Sequence, residues 1–132
     1  MPTRKTATKK GTHNALKNAA YESRVISWLM QDGWEVFTPM LDNGHQTDIL
    51  ISDGPNYHRI QIKTVEASGG DHKLVNRWKD SHVDVVVAFA RNSTWGYVMP
   101  AFKVNTRRLN FEGHQRFDQN KNDFLKAFHK LG

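Results

Sequence analysis

Asp48, Gln61 and Lys63 are the residues whose types and spacing could do chemistry. A carboxylate and an amide offer hard oxygen donors of the kind magnesium prefers, and a lysine two residues on offers an ammonium that can neutralise charge or pass a proton. Such a set suits hydrolysis of a phosphodiester, in which a cation polarises the phosphoryl oxygen beside a positioned amine. The three residues lie on two strand-like runs, residues 47–52 and 57–65, joined by the turn Asp53-Gly54-Pro55-Asn56. A symmetric hairpin without a bulge would set Asp48 opposite Gln61 and Gln46 opposite Lys63. Alternation then places Asp48, Arg59, Gln61 and Lys63 on one face, and Ile49, Ile51, Ile60 and Ile62 on the other. An ordinary amphipathic hairpin would turn its polar face to water. Leu50 and Val65 fall on that face too, so partial cover is expected there, where charged groups need partners. A structural Asp48–Lys63 ion pair is the plain alternative.

Other elements must hold this hairpin in place. Residues 14–31 read as a helix, with Ala15, Ala19, Val25, Ile26 and Leu29 at spacings of three and four and Asp32-Gly33 as the stop. Glu22 falls on that stripe, where a carboxylate needs a cation, a proton or a metal; a buried ion pair and a site role weigh about equally. Residues 34–38 read as a strand ended by Pro39. Residues 83–90 read as a strand buried on both faces, and 94–99 as its neighbour. Leu74, Val75 and Trp78 suggest a short helix after the Ser68-Gly69-Gly70 link, whereas residues 101–116 show no clear period. A closing helix is signalled by Asp118 or Asn120 as cap and by Phe124, Leu125, Phe128 and Leu131 on one side. Helix, three strands, linker, two strands and helix make an α/β fold with about five strands.

A chain of 132 residues without repeats fits one domain. The absence of cysteine excludes disulfides, thiol nucleophiles and cysteine-ligated metals. No apolar run approaches a membrane span and no hydrophobic segment follows the basic start, so a cytoplasmic protein is expected. The net charge is +6, and Arg4, Lys5, Lys9, Lys10 and Lys17 all precede the first acid, Glu22. Residues 1–12 therefore read as a basic flexible arm ahead of a single domain, 13–132. The arm is suited to nucleic-acid phosphates or serves as a solubilising tail.

Glu22 on a first helix, Asp48 on a second strand and Gln61-Ile62-Lys63 on a third stand in the order of the PD-(D/E)XK nuclease superfamily. From the first helix to about Val98 the chain resembles that superfamily, and most of all its small Holliday junction resolvase-like and intron-homing members. The resemblance implies a restriction endonuclease-like core, a mixed central β-sheet flanked by helices, and a DNA endonuclease of homing or junction-cleaving type using Mg²⁺ or Mn²⁺. It implies Asp48, Gln61, the backbone carbonyl of Ile62 and Glu22 as metal-holding groups, with Lys63 acting on the attacking water and the phosphorane. Two departures stand out. Thr47 replaces a proline, and Gln61 replaces an acid, which lowers the negative charge available to a cation until DNA phosphate oxygens join it. Cutting both strands calls for two sites, hence a homodimer or homotetramer. A non-catalytic nucleic-acid-binding protein, with Gln61 marking lost metal chemistry, and a small structural subunit are the other readings.

Of seven histidines none forms an H-x-x-x-H pair, so most are expected at the surface. His45 is kept as a DNA-contacting candidate, because Gly44-His45-Gln46 runs into Asp48, and Gln46 as a neighbour of the site. Arg107-Arg108 could meet phosphate or solvent. Trp28, Trp34, Trp78, Phe37 and Phe89 read as core, with Trp95 and Tyr97 undecided between core and base stacking.

Overall fold

In a computed structural model, which describes residues 9–41 and 44–131, the chain forms two helices and eight strands. Helix α1 spans Lys10–Gln31, and strands β1, β2 and β3 span Glu35–Phe37, Ile49–Ser52 and Tyr57–Val65. Strands β4, β5 and β6 cover Lys73–Val75, Val85–Ala90 and Trp95–Pro100; β7 and β8 cover Thr106–Arg108 and Gln115–Asp118; α2 covers Lys121–His129. Six strands form one sheet in the order β1-β2-β3-β5-β6-β8, antiparallel throughout except for the parallel β3–β5 pair, so the sheet is mixed as expected. β4 and β7 pair separately as a two-stranded ribbon.

Each face of the sheet carries its own apolar layer because the strands alternate. Ile49, Ile51 and Ile60 are fully buried against Val25 and Leu29 of α1 and Phe124 of α2, with Phe89 and Phe117 between them. The opposite face holds Val86, Ala88 and Met99 under Leu74, Trp78 and Leu109, which the ribbon and its flanks supply. β5 is thus covered on both sides, which explains its nearly continuous apolar sequence. Burying a side chain the size of Ile49 or Ile60 contributes about 1.5–3 kcal/mol, so the isoleucine face is a main anchor of the hairpin.

The structure departs from the sequence reading in four places. Residues 73–75 form strand β4, not a helix: the carbonyl-to-amide contacts of Lys73–Val75 run to Thr106–Arg108, some thirty residues away. The period-free stretch 101–116 contains β7 and the start of β8. Helix α1 begins at Lys10, four residues before Asn14, with no side-chain cap at Lys9, so part of the segment read as arm is helical; Arg4 and Lys5 lie outside the described residues. Ala15 and Ala19 are exposed and Trp28 is buried, so the apolar packing of α1 on the sheet falls in its second half. At the other end, Asn120 caps α2 by accepting the Asp123 amide at 2.9 Å, whereas Asp118 belongs to β8. Among the described residues no helix is long and apolar enough to cross a membrane.

Candidate functional site

The hairpin register is as the turn dictates over Ile49↔Ile60, Leu50↔Arg59, Ile51↔His58 and Ser52↔Tyr57. It changes at Asp48. The Asp48 amide donates to the carbonyl of Ile60 at 2.9 Å, although Ile60 is already the partner of Ile49. Two consecutive residues thus address one, the arrangement of a β-bulge, and Asp48 does not sit in a regular pair opposite Gln61. A bulge re-aims side chains. Asp48 lines a cleft of about 320 Å³ with Glu22, Ala19 and Ile26 of α1 and with Thr38 and Pro39.

The Asp48 carboxylate also ends the ladder. Its Oδ2 accepts the Ile62 amide at 2.7 Å, in the place where the next backbone carbonyl of β2 would stand. In an extended strand the N–H and C=O of one residue face the same neighbour, so the Ile62 carbonyl is directed to the same side as Asp48. One residue on, Lys63 is half-buried with its ammonium 5.7 Å from the centre of the Trp78 ring. Burial pushes its pKa below the ordinary lysine value and the positive charge of Arg77 adds to that, while Asp48 opposes it. Lys63 therefore releases a proton from Nζ more readily than a surface lysine.

Gln61 is 7% exposed. Its Nε2 donates to Gln46 Oε1 at 2.7 Å, while its own Oε1 is buried without a hydrogen-bond partner. Gln46 is accordingly a neighbour of the site but contacts Gln61, not the Lys63 that the extrapolated register assigned to it: β2 starts only at Ile49, and Gln46 sits at φ 59°, outside extended geometry. Gln61 Oε1, the Asp48 carboxylate and the Ile62 carbonyl at the end of the β2–β3 ladder are all oxygen donors, a chemistry that suits a hard divalent cation that keeps several waters. Among the described residues no three His, Asp or Glu side chains cluster to hold a metal, so the set is sparse in charge.

The remaining predicted residues are placed as follows. Glu22 and Asp48 share one cleft. His45 lines the adjoining cleft with Phe37, Leu50 and Arg59. Lys9, Lys10 and Lys17 are exposed at the start of α1 and before it. Trp95 and Tyr97 are buried in the second core layer and so belong to packing. Sequence reasoning did not single out Arg77, whose field reaches Lys63; its signal was a cation next to Trp78 in a segment read as a helix.

No family model matches the sequence, and no match among curated proteins is found. Shape is more informative. The structure is similar to a bacterial homing endonuclease, I-Ssp6803I, with a TM-score of 0.53 and 22% identity over 66% of this chain and 64% of that one, so it spans less than two thirds of that protein. It is also similar to Hjc, a Holliday junction resolvase from the archaeal hyperthermophile Archaeoglobus fulgidus, with a TM-score of 0.50 and 13% identity over 80% of this chain and 86% of that one. The order of the sheet and these two likenesses agree: the chain has a restriction endonuclease-like fold.

Proposed function

We propose that the protein is a metal-dependent DNA endonuclease, hydrolysing phosphodiester bonds in a target of the homing or junction type. The observation that carries this reading is the buried, partnerless Oε1 of Gln61, the strand residue next to Ile62, whose amide holds the Asp48 carboxylate. Asp48, Gln61 Oε1 and the Ile62 carbonyl are the groups that would hold Mg²⁺, or Mn²⁺ in its stead, with Glu22 lining the same cleft as Asp48. The cation supplies polarisation of the phosphoryl oxygen and neutralisation of the phosphodiester charge. The chain supplies the rest. The Ile62 amide fixes one Asp48 oxygen, Gln46 orients the Gln61 amide, and Lys63 Nζ, eased toward its neutral form by burial, can take a proton from the attacking water or stabilise charge on the phosphorane. Lys9, Lys10 and Lys17, with Arg4 and Lys5 ahead of them, provide phosphate contacts, and His45 and Gln46 flank the approach. Two-strand cleavage would pair two copies, as a homodimer or homotetramer, across the DNA.

A second reading is favoured by one specific feature, the amide at position 61 and the resulting shortage of acids: a non-catalytic DNA-binding protein on the same fold. One panel separates them. Linear, nicked, looped and four-way-junction DNA incubated with Mg²⁺ or Mn²⁺ gives discrete cuts under the first reading and only mobility shifts under the second. Absence of cuts on every substrate with either ion, despite binding, refutes the enzymatic reading.

A further inference from the structure

The β4–β7 ribbon carries a charge arrangement that folding alone does not favour. Lys73 pairs directly with Arg108. The amide of Leu109 donates to the carbonyl of His72 at 2.9 Å and that of Asn76 to the carbonyl of Asn105 at 2.8 Å, so 72/109 and 76/105 stand at hydrogen-bonded positions. Alternation makes 73/108 a pair of the other kind, in which side chains approach most closely, with Cβ atoms about 4.5–5.5 Å apart. Two cations directly opposite each other repel, and here both are exposed. Neither forms an ion pair among the described residues. Arg107, on the inner side of the ribbon, is held against Phe111 and Phe102 at 4.1 and 5.3 Å from the ring centres, again without an acid.

The ribbon and its flanks are also net positive. Residues 71–82 and 103–114, the ribbon and its flanks, contain six Lys and Arg against three Asp and Glu, whereas the rest of the chain from Glu22 onward contains eight against ten. The ribbon also adjoins the site, because Trp78, three residues beyond β4, lies under the Lys63 ammonium, and Arg77 acts on the same amine. We infer that the exposed face of this ribbon is a second DNA-backbone contact, in which Lys73 and Arg108 each take a phosphate of a duplex whose scissile bond lies at Lys63. This rests on the proposed function for its choice of DNA. A polyanion relieves the repulsion between the two cations, and the ribbon's position beside Trp78 relates the duplex to the amine.

The test is the salt dependence of binding to a 30-base-pair duplex of arbitrary sequence in EDTA, so that cleavage plays no part. Each phosphate contact adds about 0.9 to the slope of log affinity against log salt, so the Lys73→Thr, Arg108→Thr double variant should lower that slope by about 1.8. Its melting midpoint at low salt should equal or exceed that of the wild type. Lys73→Glu is a second probe: it creates an opposite-charge pair with Arg108 and should raise the midpoint while weakening DNA binding. A purely structural role for the pair moves the midpoint and leaves the slope. An unchanged slope in the double variant overturns the proposal, as does an equal loss from Lys126→Thr, Lys130→Thr at the C-terminal end of α2, across the sheet from the ribbon. A protein that cuts DNA with an unaltered slope keeps the active-site reading and loses the ribbon; one with a ribbon-dependent slope that never cuts does the reverse.

Discussion

Replacing Asp48 separates what its carboxylate does for the fold from what it does for chemistry. Asp48→Ala removes the acceptor that lies 2.7 Å from the Ile62 nitrogen and leaves that amide without its partner at a partly buried strand end. A hydrogen bond to a charged group contributes about 1.5–3 kcal/mol. At about 2.1 cal/mol/K per residue, unfolding a 132-residue chain carries an entropy of about 0.28 kcal/mol/K, so the midpoint should fall by about 5–11 °C. Asp48→Asn keeps a neutral acceptor of about half the strength, and the fall should be about half as large. Activity should not follow that gradation. Both variants lose the negative charge that would hold the cation, so both should cut plasmid DNA at least about 100-fold more slowly, the usual scale for removing one charge-stabilising group. Melting is read by circular dichroism in EDTA, and cleavage by plasmid nicking in Mg²⁺. Wild-type cleavage by Asp48→Asn would refute the metal-ligand role, and a midpoint within 1 °C of wild type for Asp48→Ala would refute the hydrogen-bond account.

Three further outcomes follow from the same geometry. Gln61→Glu adds a ligand charge where the orphaned oxygen lies and should lower the Mg²⁺ concentration for half-maximal cleavage by about tenfold; without metal it sets an acceptor against Gln46 Oε1, so its midpoint should drop in EDTA and recover with Mg²⁺, and no response to the ion would count against this site. Lys63→Met should abolish cleavage and raise stability at neutral pH, because burial and Arg77 disfavour the charged amine in the folded state; the unfolded chain binds the extra proton between the lowered pKa and 10.5, so the advantage should shrink as pH rises through that window, and a variant less stable than wild type at pH 7 would oppose this. His114 has its pKa lowered by burial, with the Leu109 carbonyl opposing and Arg107 assisting, and its Nε2 is buried without a partner. Below pH 6.5 the unfolded chain takes up a proton that the folded one resists, so wild type should lose stability on acidification and His114→Gln should lose less, as urea titrations from pH 7 to 4 would reveal; parallel losses in the two proteins would sink this.

The hairpin was legible because its determinants are local. A four-residue turn fixes the pairing and alternation assigns the faces, so Ile49, Ile51 and Ile60 could be placed in the core from the sequence. The unbroken apolar run of β5 likewise announced cover on both sides. The bulge at Asp48 was not legible, since it depends on where β2 stops and on a side chain taking over a backbone partner at Ile62. β4 was hidden for a related reason. Three residues are too few to distinguish a period of two from one of 3.6, and its partner strand is remote in sequence. The candidate site was half visible: residue types and order pointed to Asp48, Gln61, Lys63 and Glu22, whereas Gln46 as the amide's orienting partner and Arg77 as the second cation emerged only from tertiary placement.

The two ribbon strands bracket β5 and β6 along the chain, so their pairing closes a loop that contains that hairpin. Such a clasp closes a long loop for three residue pairs, so it has few backbone contacts of its own to hold it shut. Trp78, next to this clasp, supplies the aromatic floor beneath Lys63. The amine's surroundings thus depend on the ribbon being closed, and a molecule with an intact main sheet and an unfastened clasp would be folded yet unarmed.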